Sequence, residues 1–198
     1  MRGAFKENMK PDDKVYRAYF ESKKEVLYFN EIKKLSALSD SSLTNTLRKL
    51  VKNSTVTQEK TKSNTFYNIQ DKKLFALKFS EFAIQEFNNL NPGVKVPLRH
   101  FLKDLPKDIY TVVLFGSASR KEEQTDSDID VLIIADKKLD LETNKKAAEV
   151  TSKYPLSIFR ATTTQFFQNK DDILIQARKT GFPICKEQNF YEVLLHEN

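Results

Sequence analysis

The chain has 198 residues, a formal net charge of +6, 39% apolar and 11% aromatic side chains. That is enough apolar material for a packed core in one or two small domains. A single cysteine, Cys185, excludes an internal disulfide and a zinc cluster, and in Phe-Pro-Ile-Cys it reads as a small buried hydrophobe. His100 and His196 have no partner acids at metal-ligand spacing, so surface or packing roles are expected. No stretch approaches the length of a membrane span, and Met-Arg-Gly-Ala-Phe-Lys-Glu at the start lacks a signal-peptide core. The expected location is the cytoplasm, with no membrane partner.

The charge is uneven. Residues 1–62 hold 14 Lys and Arg against 8 Asp and Glu, and the remainder holds 19 of each. The excess at the front suggests an electrostatic footprint for nucleic acid, the alternative being a solvated, Lys-rich surface. In chain order, Val15, Tyr16, Tyr19 and Phe20 predict a helix over Asp13–Ser22. Val26–Phe29 reads as a short strand. Asn30 is expected to cap a helix over Glu31–Leu35, with Ile32 and Leu35 three apart. After a turn at Ser36–Ser39, Asp40 or Ser41 caps a helix running to Lys52. Its buried stripe is Leu43, Leu47, Leu50 and Val51. The opposite face offers Ser42, Thr44, Asn45, Thr46, Arg48, Lys49 and Lys52. Thr55–Lys60 and Thr65–Ile69 alternate like a hairpin, with Thr61–Asn64 as its tip.

This order of helices ending in a basic-tipped hairpin resembles the winged helix-turn-helix DNA-binding domains. The stretch Ser-Leu-Thr-Asn-Thr-Leu-Arg-Lys-Leu looks like their recognition helix. The resemblance implies DNA contact through residues 30–62, with that helix in the major groove. Ser42 lies on the contact face, and Asn45 and Arg48 read base edges. Lys49, Lys52, Lys60 and Lys62 then bind phosphates, which position without specifying sequence. The same fold also serves as a protein-interaction module.

Residues from Lys72 to about Asn89 contain no Gly or Pro and read as a helix. Its apolar residues (Leu74, Phe75, Leu77, Phe79, Phe82, Ala83, Ile84 and Phe87) spread beyond one stripe, so burial on more than one side is expected. Packing on both domains, or pairing with its copy in a homodimer, would satisfy it. Asn91-Pro92-Gly93 is read as a break and linker, followed by a short helix over Pro97–Lys103.

The most informative stretch follows. An apolar run, Val112–Phe115, ends in Gly116-Ser117, and Asp128 and Asp130 open a second run, Val131–Ile134. Residues two apart on a strand face the same side, so both carboxylates project together. Two hard oxygen ligands on one face suit Mg²⁺, which keeps waters and takes phosphate oxygens as its other ligands. A Gly-Ser turn entering a helix is where a phosphate meets backbone N–H groups. The plainer alternative for the pair is two strand-start caps, but adjacent like charges repel unless a cation sits between them.

Gly-Ser, then Arg, then Asp-Ser-Asp-Ile-Asp before aliphatics resembles the polymerase-β-type nucleotidyltransferases, most of all their small prokaryotic members. The motif covers residues 109–135, and the inferred topology extends it to about 187. The resemblance implies that Gly116 and Ser117 hold the triphosphate of an NTP, with ATP the expected one. Asp128 and Asp130 become Mg²⁺ ligands and catalytic residues, and Arg120 matches a common basic position at the nucleotide. Asp126 and Ser127 fall in the turn before the ligands.

One departure stands out. Active members carry a third carboxylate on a neighbouring strand, which activates the acceptor hydroxyl or completes a second metal site. The expected strand here, Leu156–Arg160 after a helix over Glu142–Tyr154, has no acid. Ser157 or Phe159 takes the place, and Glu149 and Asp171 lie beyond any plausible shift. Further on, Thr162 or Thr163 caps a short helix with Phe166 and Phe167. Asp171-Asp172 opens another to Lys179, which Gly181 stops, and Phe182–Cys185 forms an edge strand.

The expected class is α+β: a winged helix at residues 1–70, a connecting helix and linker at 71–95, and a nucleotidyltransferase-like mixed sheet flanked by helices at 96–198. The expected activity is transfer of an NMP from a Mg²⁺-bound NTP to a hydroxyl of a partner protein or RNA. The alternative is a non-catalytic, nucleotide-sensing transcription regulator of antitoxin-like kind.

Overall fold

The computed structural model describes residues 9–168 and 171–196. The opening residues, read above as lacking a signal-peptide core, lie outside the described residues. Two compact units are present, one formed by the described residues up to Phe82 together with Leu195 and His196, the other spanning Ala83–Leu194.

The first unit begins with α1 (Pro11–Ser22), β1 (Val26–Tyr28), α2 (Phe29–Ser36) and α3 (Asp40–Lys52). It continues with β2 (Val56–Lys60), β3 (Thr65–Ile69) and the start of α4 (Lys72–Asn88). The three strands form an antiparallel sheet in the order β1-β3-β2. Leu43, Leu47 and Leu50 of α3 are buried as the spacing predicts, and Val51 is half-buried. Aromatic edges close the core: Phe75 of α4 meets Tyr16 at 5.1 Å and Tyr19 at 5.2 Å. The buried Tyr19 hydroxyl donates to the carbonyl of Tyr67 at 3.0 Å, so it enters the core with a partner.

Several elements differ from expectation. Helix α1 starts at Pro11, where the missing N–H falls among the groups a helix start leaves unpaired. Phe29 belongs to α2 rather than to the strand. Asn30 is not its cap: the Glu31 carboxylate instead accepts the backbone N–H of Tyr28 at 3.2 Å. Ser39, not Asp40 or Ser41, caps α3, its hydroxyl accepting from Ser42 N–H at 3.3 Å. Thr46 is buried rather than on the open face. Its hydroxyl donates to the Ser42 carbonyl at 2.8 Å, which lets a short polar side chain turn inward. Leu77 and Ile84 of α4 remain 45% and 46% exposed, so the helix is not covered on all its apolar sides.

The second unit contains the rest of α4, α5 (Pro92–Leu102), β4 (Thr111–Phe115), α6 (Gly116–Arg120) and β5 (Ile129–Ile134). Then come α7 (Glu142–Glu149), β6 (Leu156–Ala161), α8 (Thr163–Gln168), α9 (Asp172–Thr180), β7 (Phe182–Cys185) and α10 (Glu187–His196), whose last two residues fall in the first unit. Its sheet is mixed, in the order β6-β5-β4-β7, with β5 parallel to β6 and the other pairs antiparallel. The apolar run of β4 is buried along its whole length, as is that of β5 from Val131 to Ile134.

The helix break expected at Asn91-Pro92-Gly93 is present, since α4 ends at Asn88, but Pro92 opens a helix instead of a linker. It sits in the first turn of α5, and Pro97, expected to start a helix, lies inside it. A proline one turn in forfeits one N–H partner, and burial of Val94, Leu98 and Phe101 offsets that loss. Asn144 of α7 donates to the carbonyls of Phe101 and Lys103 at 3.0 and 2.7 Å, closing the end of α5. Helix α7 ends at Glu149 rather than Tyr154. Thr162 caps α8, its hydroxyl accepting from Gln165 N–H at 3.1 Å. Asp171 caps α9. Gly181 does stop α9, but with φ −78 it is not in the left-handed region. Close approach requires it, since a Cβ there would lie 2.5 Å from the Ala177 carbonyl oxygen. Cys185 is partly buried, and burial pushes its thiol up.

Candidate functional site

The site grows from one end of the two central strands of the mixed sheet. The antiparallel register sets Phe115, last residue of β4, opposite Asp130. The chain then turns from β4 into α6 at Gly116, whose φ of +70 favours a residue without a side chain. A Cβ built on Gly116 would lie 2.1 Å from Asp130 Oδ2. The glycine therefore does two things: it makes the turn and leaves room for the carboxylate. Ser117 follows, half-buried, in the first turn of α6.

Asp128 lies just before β5 and Asp130 within it, both half-buried. The Asp130 carboxyl is held above the usual carboxylate range, first by burial and then by the Asp128 charge. The two groups are thus electrostatic neighbours, as their spacing predicts. A bound divalent cation would relieve both effects, and two hard carboxylate oxygens fit such an ion. Among the described residues, no group of three or more His, Cys, Asp or Glu is placed to hold a metal.

The neighbouring strand explains why the acids stop at two. β6 runs parallel to β5 and pairs Ser157 with Asp130. The Ser157 hydroxyl donates to Asp128 Oδ2 at 2.8 Å. Phe159, two residues on, packs against Phe115 with ring centroids 5.5 Å apart. Of the two residues expected in the missing acid's place, Ser157 is the one beside the carboxylates, and Phe159 belongs to the apolar floor.

Arg120 is tied locally. Its Nη1 donates to the Gly116 carbonyl at 2.9 Å, and its Nε to Glu122 at 2.6 Å. It braces the glycine turn in this arrangement. Ser127 shapes the turn before the acids, its hydroxyl accepting from Gln124 N–H at 2.8 Å. Asp126 is exposed beside it. The bracing of Gly116 by Arg120 was not readable from sequence, because Arg-Lys-Glu-Glu gives no sign of which acid takes the guanidinium.

The basic residues at the front lie in the other unit. Asn45, Arg48, Lys49 and Lys52 are exposed on α3, and Ser42 and Thr44 are half-buried there. Lys49 is not an unengaged cation: its ammonium meets Asp12 at 2.5 Å. Lys60 precedes the hairpin tip and Lys62 lies in it; the Thr61 N–H closes the tip onto the Asn64 carbonyl at 2.8 Å. The tip borders an open groove of about 420 Å³, lined by Tyr28, Phe29, Asn30, Lys60, Lys62 and Asn64 among others. His100 and His196 are exposed. Among the described residues no helix is long and apolar enough to cross a membrane.

Residues 97–179 match the family model described as a nucleotidyltransferase domain. That span contains the glycine turn, both aspartates and Ser157. No curated protein and no solved structure matches the chain.

Proposed function

We propose that the nucleotidyltransferase domain at residues 97–179 binds a divalent metal–NTP complex and transfers its NMP to a hydroxyl of a partner protein or RNA. The observation that carries this reading is the meeting of Gly116 with Asp130, beside Asp128, at one end of the central strands. Asp128 and Asp130 would hold the ion, Mg²⁺ being the expected one, which when bound neutralises phosphate charge. Gly116 keeps the turn open, and Ser117 and adjacent N–H groups receive phosphate oxygens. Arg120, through the Gly116 carbonyl, keeps that turn rigid. In the transfer, the acceptor oxygen bonds to the α-phosphorus, the bond to the β-phosphate oxygen breaks, pyrophosphate leaves, and the hydroxyl proton passes to water. Catalysis of this kind is mostly positioning and electrostatics.

The first unit supports a DNA-binding role. Its helix–strand–helix–helix–hairpin order matches that of a winged helix, and Asn45, Arg48, Lys52, Lys60 and Lys62 are exposed on its α3 and hairpin. Leu77 and Ile84, seven apart on α4 and both exposed, support a homodimer through that helix.

A second reading is a regulator that binds nucleotide without turnover. It is favoured by Ser157, a hydroxyl already donating to Asp128, in the place of an acid. Incubation with α-labelled NTP, a divalent ion and cell extract, beside an NTP-binding assay, tests both. Label on RNA or protein that disappears in Asp128→Asn supports transfer. Metal-dependent NTP binding without label moves the chain to the second reading. Neither label nor binding would remove both.

A further inference from the structure

The column across three strands at one end of the sheet reads Phe115, Asp130, Ser157, each paired in register with the next. Ser157 reaches past Asp130 to Asp128 Oδ2. We infer that Ser157 is a positioning residue that fixes the Asp128 carboxylate for its ligand and makes this a one-cation site. The inference rests on the reading of Asp128 and Asp130 as the metal pair.

Charge and geometry both favour one ion. Two-ion sites place the cations about 3.5–4 Å apart and clamp both the attacking and the leaving oxygens. Such a pair needs carboxylates enough to share. Here the two aspartates supply the negative charge, and the described residues hold no third acid in the cluster. A hydroxyl brings no charge. It donates a proton to one oxygen of Asp128, and an oxygen so engaged has less to offer as a bridge between two ions. What Ser157 does supply is orientation, because a side chain with a fixed hydrogen bond loses less freedom when it takes a ligand. The bond is partly buried, so water competes only in part. Phe159 on β6 meets Phe115 on β4 across β5 beside it. The consequence for function is that Asp128 and Asp130 would hold the ion accompanying the triphosphate, with no described residues beside them for an ion that activates an acceptor. The acceptor hydroxyl would then lose its proton to water without the help of a second ion.

The test counts ions on the whole chain. Mn²⁺ is titrated by electron paramagnetic resonance in the presence of a saturating non-hydrolysable NTP analogue. Wild type should hold one Mn²⁺ per chain. Ser157→Ala should still hold one, weaker by roughly fivefold, as the loss of one charge-assisted hydrogen bond at a half-exposed site implies. Ser157→Thr, which keeps the hydroxyl, should restore the affinity. Ser157→Asp should admit a second Mn²⁺. A second ion in wild type at similar affinity overturns the one-cation claim, as does a Ser157→Asp protein that still holds only one. Unchanged affinity in Ser157→Ala, or no rescue by threonine, overturns the positioning role. No Mn²⁺ in wild type is a different failure, because it removes Asp128 and Asp130 as ligands and the inference with them.

Discussion

Replacing Gly116 by alanine should damage stability and ligand binding together, and the structure supplies the size of the effect. The backbone there has φ +70, so a side chain costs about 1–2 kcal/mol from left-handed strain alone. The added Cβ would lie 2.1 Å from Asp130 Oδ2, and the carboxylate must leave its rotamer. An off-rotamer side chain costs about 0.5–1.5 kcal/mol. Gly116→Ala is therefore expected to lose roughly 2–3 kcal/mol in urea unfolding followed by far-UV circular dichroism. In an Asp130→Ala background the clash is gone, and the loss should shrink to the backbone part. A loss below about 0.5 kcal/mol, or an equal loss in both backgrounds, would refute the reasoning, because the double-mutant cycle isolates the pairwise clash.

Three further outcomes follow from the same structure. Asp130 has a raised carboxyl pKa in the fold, so the native state binds its proton more tightly than the unfolded chain, and its contribution falls as pH rises between the two values. Asp130→Asn should thus be more stable than wild type at neutral pH without divalent metal, with the difference fading in acid; melts at several pH values that stay parallel would contradict it. Arg48→Ala and Lys52→Ala should each weaken duplex DNA binding, and removing one phosphate-binding cation should lower the salt slope by about one. Lys49→Ala should matter less because Asp12 already pairs with Lys49. Anisotropy titrations with no affinity at low salt, or none that falls with salt, would remove the DNA reading. Leu77→Glu with Ile84→Glu should turn a dimer into a monomer in sedimentation; a wild-type monomer at high concentration contradicts the helix pairing.

What was legible in the sequence follows from short-range physics. The leucine stripe of α3 and the strand that sets Asp130 two residues after Asp128 need only periodicity. Ser157 was legible as an absence, since no acid stands in 156–160, but its bond to Asp128 depends on strand order and parallel register. Pro97 and Thr46 misled for one reason. Local propensity argued against a proline inside a helix and a threonine inside a core, and tertiary burial of Leu98 and a bond to the Ser42 carbonyl outweighed it. Arg120 matches a basic position of the resembled family, but its bond to the Gly116 carbonyl depends on a turn geometry that the sequence alone does not give.

The central claim is a metal-dependent nucleotide site at Asp128 and Asp130. Calorimetric titration of the full chain with ATP, CTP, GTP and UTP, with and without Mg²⁺, tests it most directly. Binding is expected to need the ion and to be lost in Asp128→Asn/Asp130→Asn. No binding by wild type, or binding that survives in the double variant, would contradict it.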